Sequence, residues 1–123
     1  VSTATDLNKP TDEFFAKRGY ICANTETFDR FSKHKKDLLG FIDRLAFSPT
    51  QNGEWGPIVA LQITSLGNRG ARLKKIRESP WSKIWCACGL RILLVLWDTR
   101  GKELTNVLIE EVTFSPASLP PLE

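Results

Sequence analysis

The chain has 123 residues, a formal net charge of +3, and 41% hydrophobic and 25% charged residues. That describes one ordinary globular domain with a single apolar core. No apolar run approaches the roughly 20 residues a bilayer span needs, and the polar start VSTATDLNKP lacks a basic flank with an apolar core, so neither a membrane span nor a secretion signal is expected; the expected location is cytoplasmic.

In chain order, residues 1–10 read as a flexible lead. The stretch PTDEFFAKRGY (10–20) predicts a short helix capped by Thr11, with Asp12 and Glu13 at its positive end and Gly19 as its stop. A strand begins at YICA (20–23), and NTETFDRFSKHKK (24–36) reads as a polar connection. Two strands follow, LLGFIDRLAF (38–47) and PIVALQITS (57–65), joined by SPTQNGEWG (48–56), whose Pro, Asn-Gly and Gly mark a hairpin-type loop. NRGARLKKIRES (68–79) predicts a helix with Asn68 as N-cap and a narrow apolar stripe of Leu73 and Ile76, ended by Pro80.

A second helix is expected over WSKIWCACG (81–89), closed by Gly89. LRILLVLW (90–97) is an uninterrupted apolar strand of the kind buried on both faces, and ELTNVLIEEV (103–112) is the last strand. The domain is placed at 11–114, with a Pro-rich tail at 115–123. This order predicts an α/β fold, a mixed sheet with helices packed on it. Cys86 and Cys88 are too close for an ordinary disulfide and the chain has one His, so reduced, buried thiols are expected rather than a zinc site.

Asp43 stands among Leu, Phe, Ile and Ala, where an unpaired carboxylate costs several kcal/mol or takes up a proton. Alternation along 58–65 puts Ile58, Ala60, Gln62 and Thr64 on one face. If the two strands pair, Asp43 comes close to Gln62. An Asp beside oxygen-bearing side chains suits a hard divalent cation, since magnesium takes one or two carboxylates plus waters and phosphate oxygens. The plainer alternative is an Asp paired with Arg44, with a lysine of KHKK, or with a backbone donor.

Charge distribution favours the cation. Arg69, Arg72, Lys74, Lys75 and Arg77 fall within nine residues, and Arg30, Lys33, Lys35 and Lys36 form a second basic group ahead of Asp43. Two cationic clusters around a candidate metal site suit a polyphosphate backbone.

The blocks GY…E…KKDLLGFIDRLAF…VALQITS…R…RLKKI…W…GLRILLVLW, spanning roughly residues 12–98, resemble the PD-(D/E)xK nuclease superfamily. More narrowly they are similar to small phage-encoded nucleases related to archaeal-type Holliday junction resolvases. The resemblance implies a restriction-endonuclease-like fold and hydrolysis of DNA phosphodiesters with magnesium or manganese. It further implies branched DNA as substrate and a two-fold homodimer, for which Trp81, Trp85 and Trp97 are candidate interface residues. Asp43 matches the family's metal-binding Asp, Gln62 stands where its Glu stands, and Thr64 where its Lys stands. The Ile63 carbonyl is a further expected ligand, and Glu26, with Glu13 as rival, is the upstream acid.

Two departures follow from these matches. Gln62 keeps an oxygen but loses a charge, and Thr64 cannot supply an ammonium, a role left to Lys75, Lys74 or Lys36. Arg69, Arg72, Lys74, Lys75 and Arg77, with Lys35 and Lys36, are the expected grip on DNA. A catalytically weak or inactive nucleic-acid-binding module on the same fold is the alternative.

Overall fold

The computed structural model describes residues 7–31, 34–49, 53–101 and 106–115, and only the backbone of 27–29, 34 and 35. Lys33 and residues 116–123 of the tail lie outside the described residues. The centre of the molecule is the pair of strands with the longest apolar runs, β5 (Ile58–Ser65) and β6 (Arg91–Trp97), which lie parallel with Val59 opposite Arg91 and Ser65 opposite Trp97. Parallel neighbours need a crossover. Here it comprises a 3₁₀ turn (Leu66–Asn68), α2 (Arg69–Glu78) and α3 (Ser82–Ala87). On one side β5 pairs antiparallel with β4 (Arg44–Phe47), which pairs antiparallel with β1 (Ile21–Asn24). On the other side β6 pairs antiparallel with β7 (Val107–Val112). The sheet order is therefore β1-β4-β5-β6-β7, a mixed α/β fold.

Two apolar clusters pack the two faces of this sheet. Val59, Leu61, Ile63, Leu93, Val95 and Trp97 meet Phe15 of α1 (Asn8–Ala16) together with Tyr20 and Trp55. Ala60, Ile92, Leu94 and Leu96 meet Ile76 of α2, with Leu73 and Trp85 packed alongside. The expected stripe of Leu73 and Ile76 thus faces the core. Gly19 and Gly89, with φ of 83° each, follow α1 and α3 where stops were expected.

Several expectations are corrected. Helix α1 begins at Asn8, with Leu7 rather than Thr11 at its cap. Leu7 packs against the core and anchors the entry. Thr11 sits inside the helix, where its hydroxyl donates to the Leu7 carbonyl (2.6 Å) and accepts from the Trp97 indole (2.9 Å). The polar connection 24–36 contains a small antiparallel hairpin of its own, β2 (Thr27–Asp29) with β3 (His34–Lys36). Asn68 occupies the cap position of α2, but its side chain donates to Ser65 Oγ (3.3 Å) instead of capping.

The largest correction concerns 38–47. Only its last four residues form strand; the first part is a turn with Leu39 at φ 55° and Gly40 at φ 81°. The turn is closed by Leu38 pairing with Ile42 and held by Ser79 Oγ, which donates to the Leu39 carbonyl (2.8 Å). Alternation fails here because consecutive residues Phe41 and Ile42 are both fully buried in the cluster under α2. Asp43 consequently stands at the head of β4, not in the middle of a long strand.

The 48–56 loop is tied to the core by one hydroxyl. Tyr20 Oη donates to the Gly56 carbonyl (2.6 Å) and accepts from the Trp55 N–H (3.0 Å). A Cβ at Gly53 would lie 2.6 Å from that oxygen, so the tyrosine's approach requires glycine there. Tyr20→Phe leaves the buried Trp55 N–H without its acceptor and should cost about 1–3 kcal/mol. Urea unfolding should show a lower midpoint with an unchanged slope.

Candidate functional site

Antiparallel pairing of β4 with β5 puts Arg44 opposite Leu61, and one step further along it brings Asp43 to Gln62. The Asp43 N–H donates to the Leu61 carbonyl (2.8 Å), and its Oδ2 accepts from the Ile63 N–H (2.9 Å) and from the Gln62 side-chain amide. The left-handed turn at Leu39 and Gly40 doubles the chain back, so that Asp37 shares a hydrogen bond with Asp43. From α2, Lys75 Nζ donates to Asp37 Oδ2, forming an ion pair in which the Asp37 side chain is only 7% exposed. Glu26 enters from the β1–β2 junction, where its N–H is held by Asn24 Oδ1 (3.0 Å).

Carboxylate oxygens of Glu26, Asp37 and Asp43 all lie within 4.8 Å of one another. Gln62 is fully buried, and its Oε1 has no hydrogen-bond partner among the described residues. An extended residue directs its N–H and C=O to the same edge of its strand. The Ile63 carbonyl therefore faces the same side as the N–H that meets Asp43. Carboxylate, amide and carbonyl oxygens are the donor set of a hard divalent cation.

Burial pushes the Asp43 carboxyl up to about 7; the hydrogen bond with Asp37 and the nearby charges of Asp37 and Glu26 add to the rise, and only the Ile63 N–H opposes it. Of the plain explanations for a buried Asp, the backbone donor is present. Arg44 is not the partner: its guanidinium makes two hydrogen bonds to Asp12 on α1 (2.7 and 2.6 Å), on the other face of the sheet. Partial burial pushes the Cys22 thiol up to about 12 and the Cys86 thiol upward; all three cysteines are free, but Cys22 and Cys86 are half-buried and Cys88 is exposed, not buried as expected.

Of the residues expected at the site, Glu26, Asp43, Gln62, Ile63 and Lys75 come together. Thr64 is buried on the face of Gln62, about 6.6 Å further along the strand, and Lys75 brings an ammonium to Asp37. Glu13 is exposed on α1, away on the opposite face. Asp37 was not anticipated. Read as part of an extended run, it would lie about 20 Å from Asp43; the Leu-Leu-Gly that follows it is the one local sign of a turn.

The basic residues are partly committed within the fold. Arg69 makes a two-point pair with Glu110 on β7 (2.6 and 2.7 Å). Arg77 donates to the Thr113 carbonyl (3.3 Å), with its guanidinium 5.4 Å from the Phe114 ring. Lys74 is exposed, 3.9 Å from Glu78. Arg72 is half-buried, Lys36 is exposed beside Asp37, and the Lys35 side chain lies outside the described residues. Of the three tryptophans considered for an interface, Trp97 is buried in the core and Trp85 is half-buried against Phe41, while Trp81 is 49% exposed. No protein-family model, curated protein or solved structure matches the chain.

The Asp43 carboxyl has a pH signature. Below about pH 4 it is protonated both folded and unfolded. Between there and about pH 7 the folded chain keeps a proton that the unfolded chain has lost, so this group's contribution to stability falls as pH rises and levels off above 7. The loss is on the order of 4 kcal/mol. Asp98, held at about 2 by its hydrogen bonds from Arg100, and Glu110, lowered by Arg69, act below this window. Asp43→Asn imitates the protonated form and should flatten the fall. Urea midpoints at pH 5 and pH 8 in chelator should differ for the parent far more than for the variant.

Proposed function

We propose that this chain is a metal-dependent endonuclease hydrolysing DNA phosphodiester bonds, with Glu26, Asp37 and Asp43 as carboxylate ligands. The carrying observation is that three carboxylates converge within 4.8 Å beside a buried glutamine oxygen that has no partner among the described residues. Like charges so placed repel one another, and a divalent cation would offset that repulsion while giving Gln62 Oε1 and the Ile63 carbonyl an electropositive neighbour. Magnesium or manganese supplies, when bound, a Lewis acid for the scissile phosphate and a lowered pKa for a water.

The chain's own residues divide the remaining work. Asp43 would hold the cation as its ionised carboxylate and so would give up its proton on binding, because a ligand carboxylate must be ionised. Lys75 pairs with Asp37 and carries the positive charge that the family pattern places at Thr64. In this role it orients the attacking water and offsets charge building on the phosphate. Arg72 and Lys74 hold neighbouring phosphates without reading sequence. Cutting both strands of a branched DNA takes two such sites, hence a two-fold homodimer.

Magnesium or manganese at a hundredfold excess over Kd should stabilise the parent by about 2.7 kcal/mol, and should leave Asp43→Asn unmoved in thermal melts. Nicking of supercoiled plasmid and cutting of a four-way junction should need the metal. Lys75→Met should slow both about 10²–10³-fold. Tight DNA binding with no cleavage under either metal would make the chain a nucleic-acid-binding module. No stabilisation by either metal would remove the metal site.

A further inference from the structure

A groove of about 630 Å³ opens beside the carboxylates, walled by the Leu39–Gly40 turn on one side and by Lys74, Lys75, Pro80 and Trp81 on the other. Lys75 belongs both to the groove and to the site, since it lines the one and pairs with Asp37 in the other. The walls are set by the fold. Ser79 Oγ donates to the Leu39 carbonyl (2.8 Å) and accepts from the Trp81 N–H (3.2 Å), clamping the turn to the head of α3. Leu39 is held at φ 55°, a left-handed conformation that costs a non-glycine residue about 1–2 kcal/mol. Such strain persists only where the surroundings enforce it, and here it keeps the Leu39 side chain at the groove.

The groove's chemistry is that of an aromatic platform beside cations. Trp81 is 49% exposed while Trp55 and Trp97 are buried and Trp85 spends its indole N–H on the Arg91 carbonyl. Lys74 and Lys75 sit on a helix whose basic residues Arg69, Arg72, Lys74, Lys75 and Arg77 face a single acid of its own, Glu78. Lys75 is already paired with Asp37, but Lys74 is 74% exposed and only loosely paired, 3.9 Å from Glu78 at the groove's edge, so its ammonium is open to a phosphate. A nucleotide satisfies both halves, placing a base on the indole and a phosphate at Lys74.

Resting on the nuclease reading, we infer that this groove receives one unpaired nucleotide of the substrate, its base stacked on Trp81 and its phosphate held by Lys74. A base within a duplex cannot present its face to the indole. The site therefore selects nucleic acid with a single-stranded or extruded nucleotide next to the phosphate it cuts.

Binding is measured first, in chelator, with an eight-residue oligothymidylate and with a strand of equal length carrying abasic sites, following tryptophan fluorescence. The thymidylate should quench the parent and bind more tightly than the abasic strand. Trp81→Ala and Trp81→Leu should weaken thymidylate binding roughly 5- to 150-fold and erase the difference between the strands, while Trp81→Phe should retain it. Lys74→Ala should weaken both strands alike and reduce the salt slope by about 0.7. Equal binding of the two strands by the parent, or thymidylate binding unchanged in both Trp81→Ala and Trp81→Leu, would overturn the inference. Cleavage with magnesium separates the two readings. Trp81-dependent stacking without metal-dependent cleavage supports the groove and removes the nuclease. Cleavage abolished by Asp43→Asn, with binding indifferent to Trp81, leaves the nuclease and removes the groove.

Discussion

The Asp43 carboxylate occupies a place that a continuing strand would have filled with backbone. Beyond Arg44 the chain turns away, and the Ile42 carbonyl is taken by the Leu38 N–H (3.1 Å) and the Thr25 hydroxyl (2.9 Å). The Ile63 N–H, left without a strand beside it, is met by Asp43 Oδ2 instead. A buried backbone donor without an acceptor costs as much as a lost hydrogen bond, so the side chain completes the ladder where β4 has not yet begun. This contact sets the distance from Asp43 to Gln62, and the turn that ends at Asp43 sets the distance to Asp37.

Charge is sorted across the sheet by the same alternation. Asp43 and Arg44 are consecutive, so they point to opposite faces. Arg44 joins β4 to α1 through Asp12, and Asp43 is left on the α2 side with two other acids. The cation that reaches this side is Lys75, and it reaches Asp37 rather than Asp43. Burial, with no cation in contact among the described residues, leaves the Asp43 carboxyl pushed up to about 7 while its neighbour is ion-paired. On the outer face of α2, Arg69 is drawn to Glu110 of β7, an anchor that helps fix the helix over the sheet and with it the position of Lys75.

The long apolar strands and the helices between them were legible because their signals are local: period, length, and Gly or Pro at the ends. The meeting of Asp43 with Gln62 was legible too, because a hairpin loop and a period of two constrain which residues can face each other. The three-residue strands of the 27–36 hairpin are polar and short, so they carry no such pattern. Thr11 has the side chain of a cap, yet the Trp97 indole, 86 residues away in sequence, is its partner. Asp37 was hidden for a related reason. A leucine at φ 55° reverses the chain where residue type alone argues for extension, and the force that holds it there comes from Ser79 on the far side of the groove.

Apart from Glu26, the side chains that meet at the carboxylates come from one uninterrupted piece of chain, residues 37–75. Within it Asp37 and Asp43 are joined by a turn, Asp43 and Gln62 by a hairpin, and Gln62 and Lys75 by a strand leading straight into a helix. Such short-range connections close with little loss of chain entropy. The arrangement can therefore form early in folding, before β6 slides in beside β5 or β7 reaches the edge. Much of the remaining chain, from α1 to β7, serves to bury what that piece has already brought together.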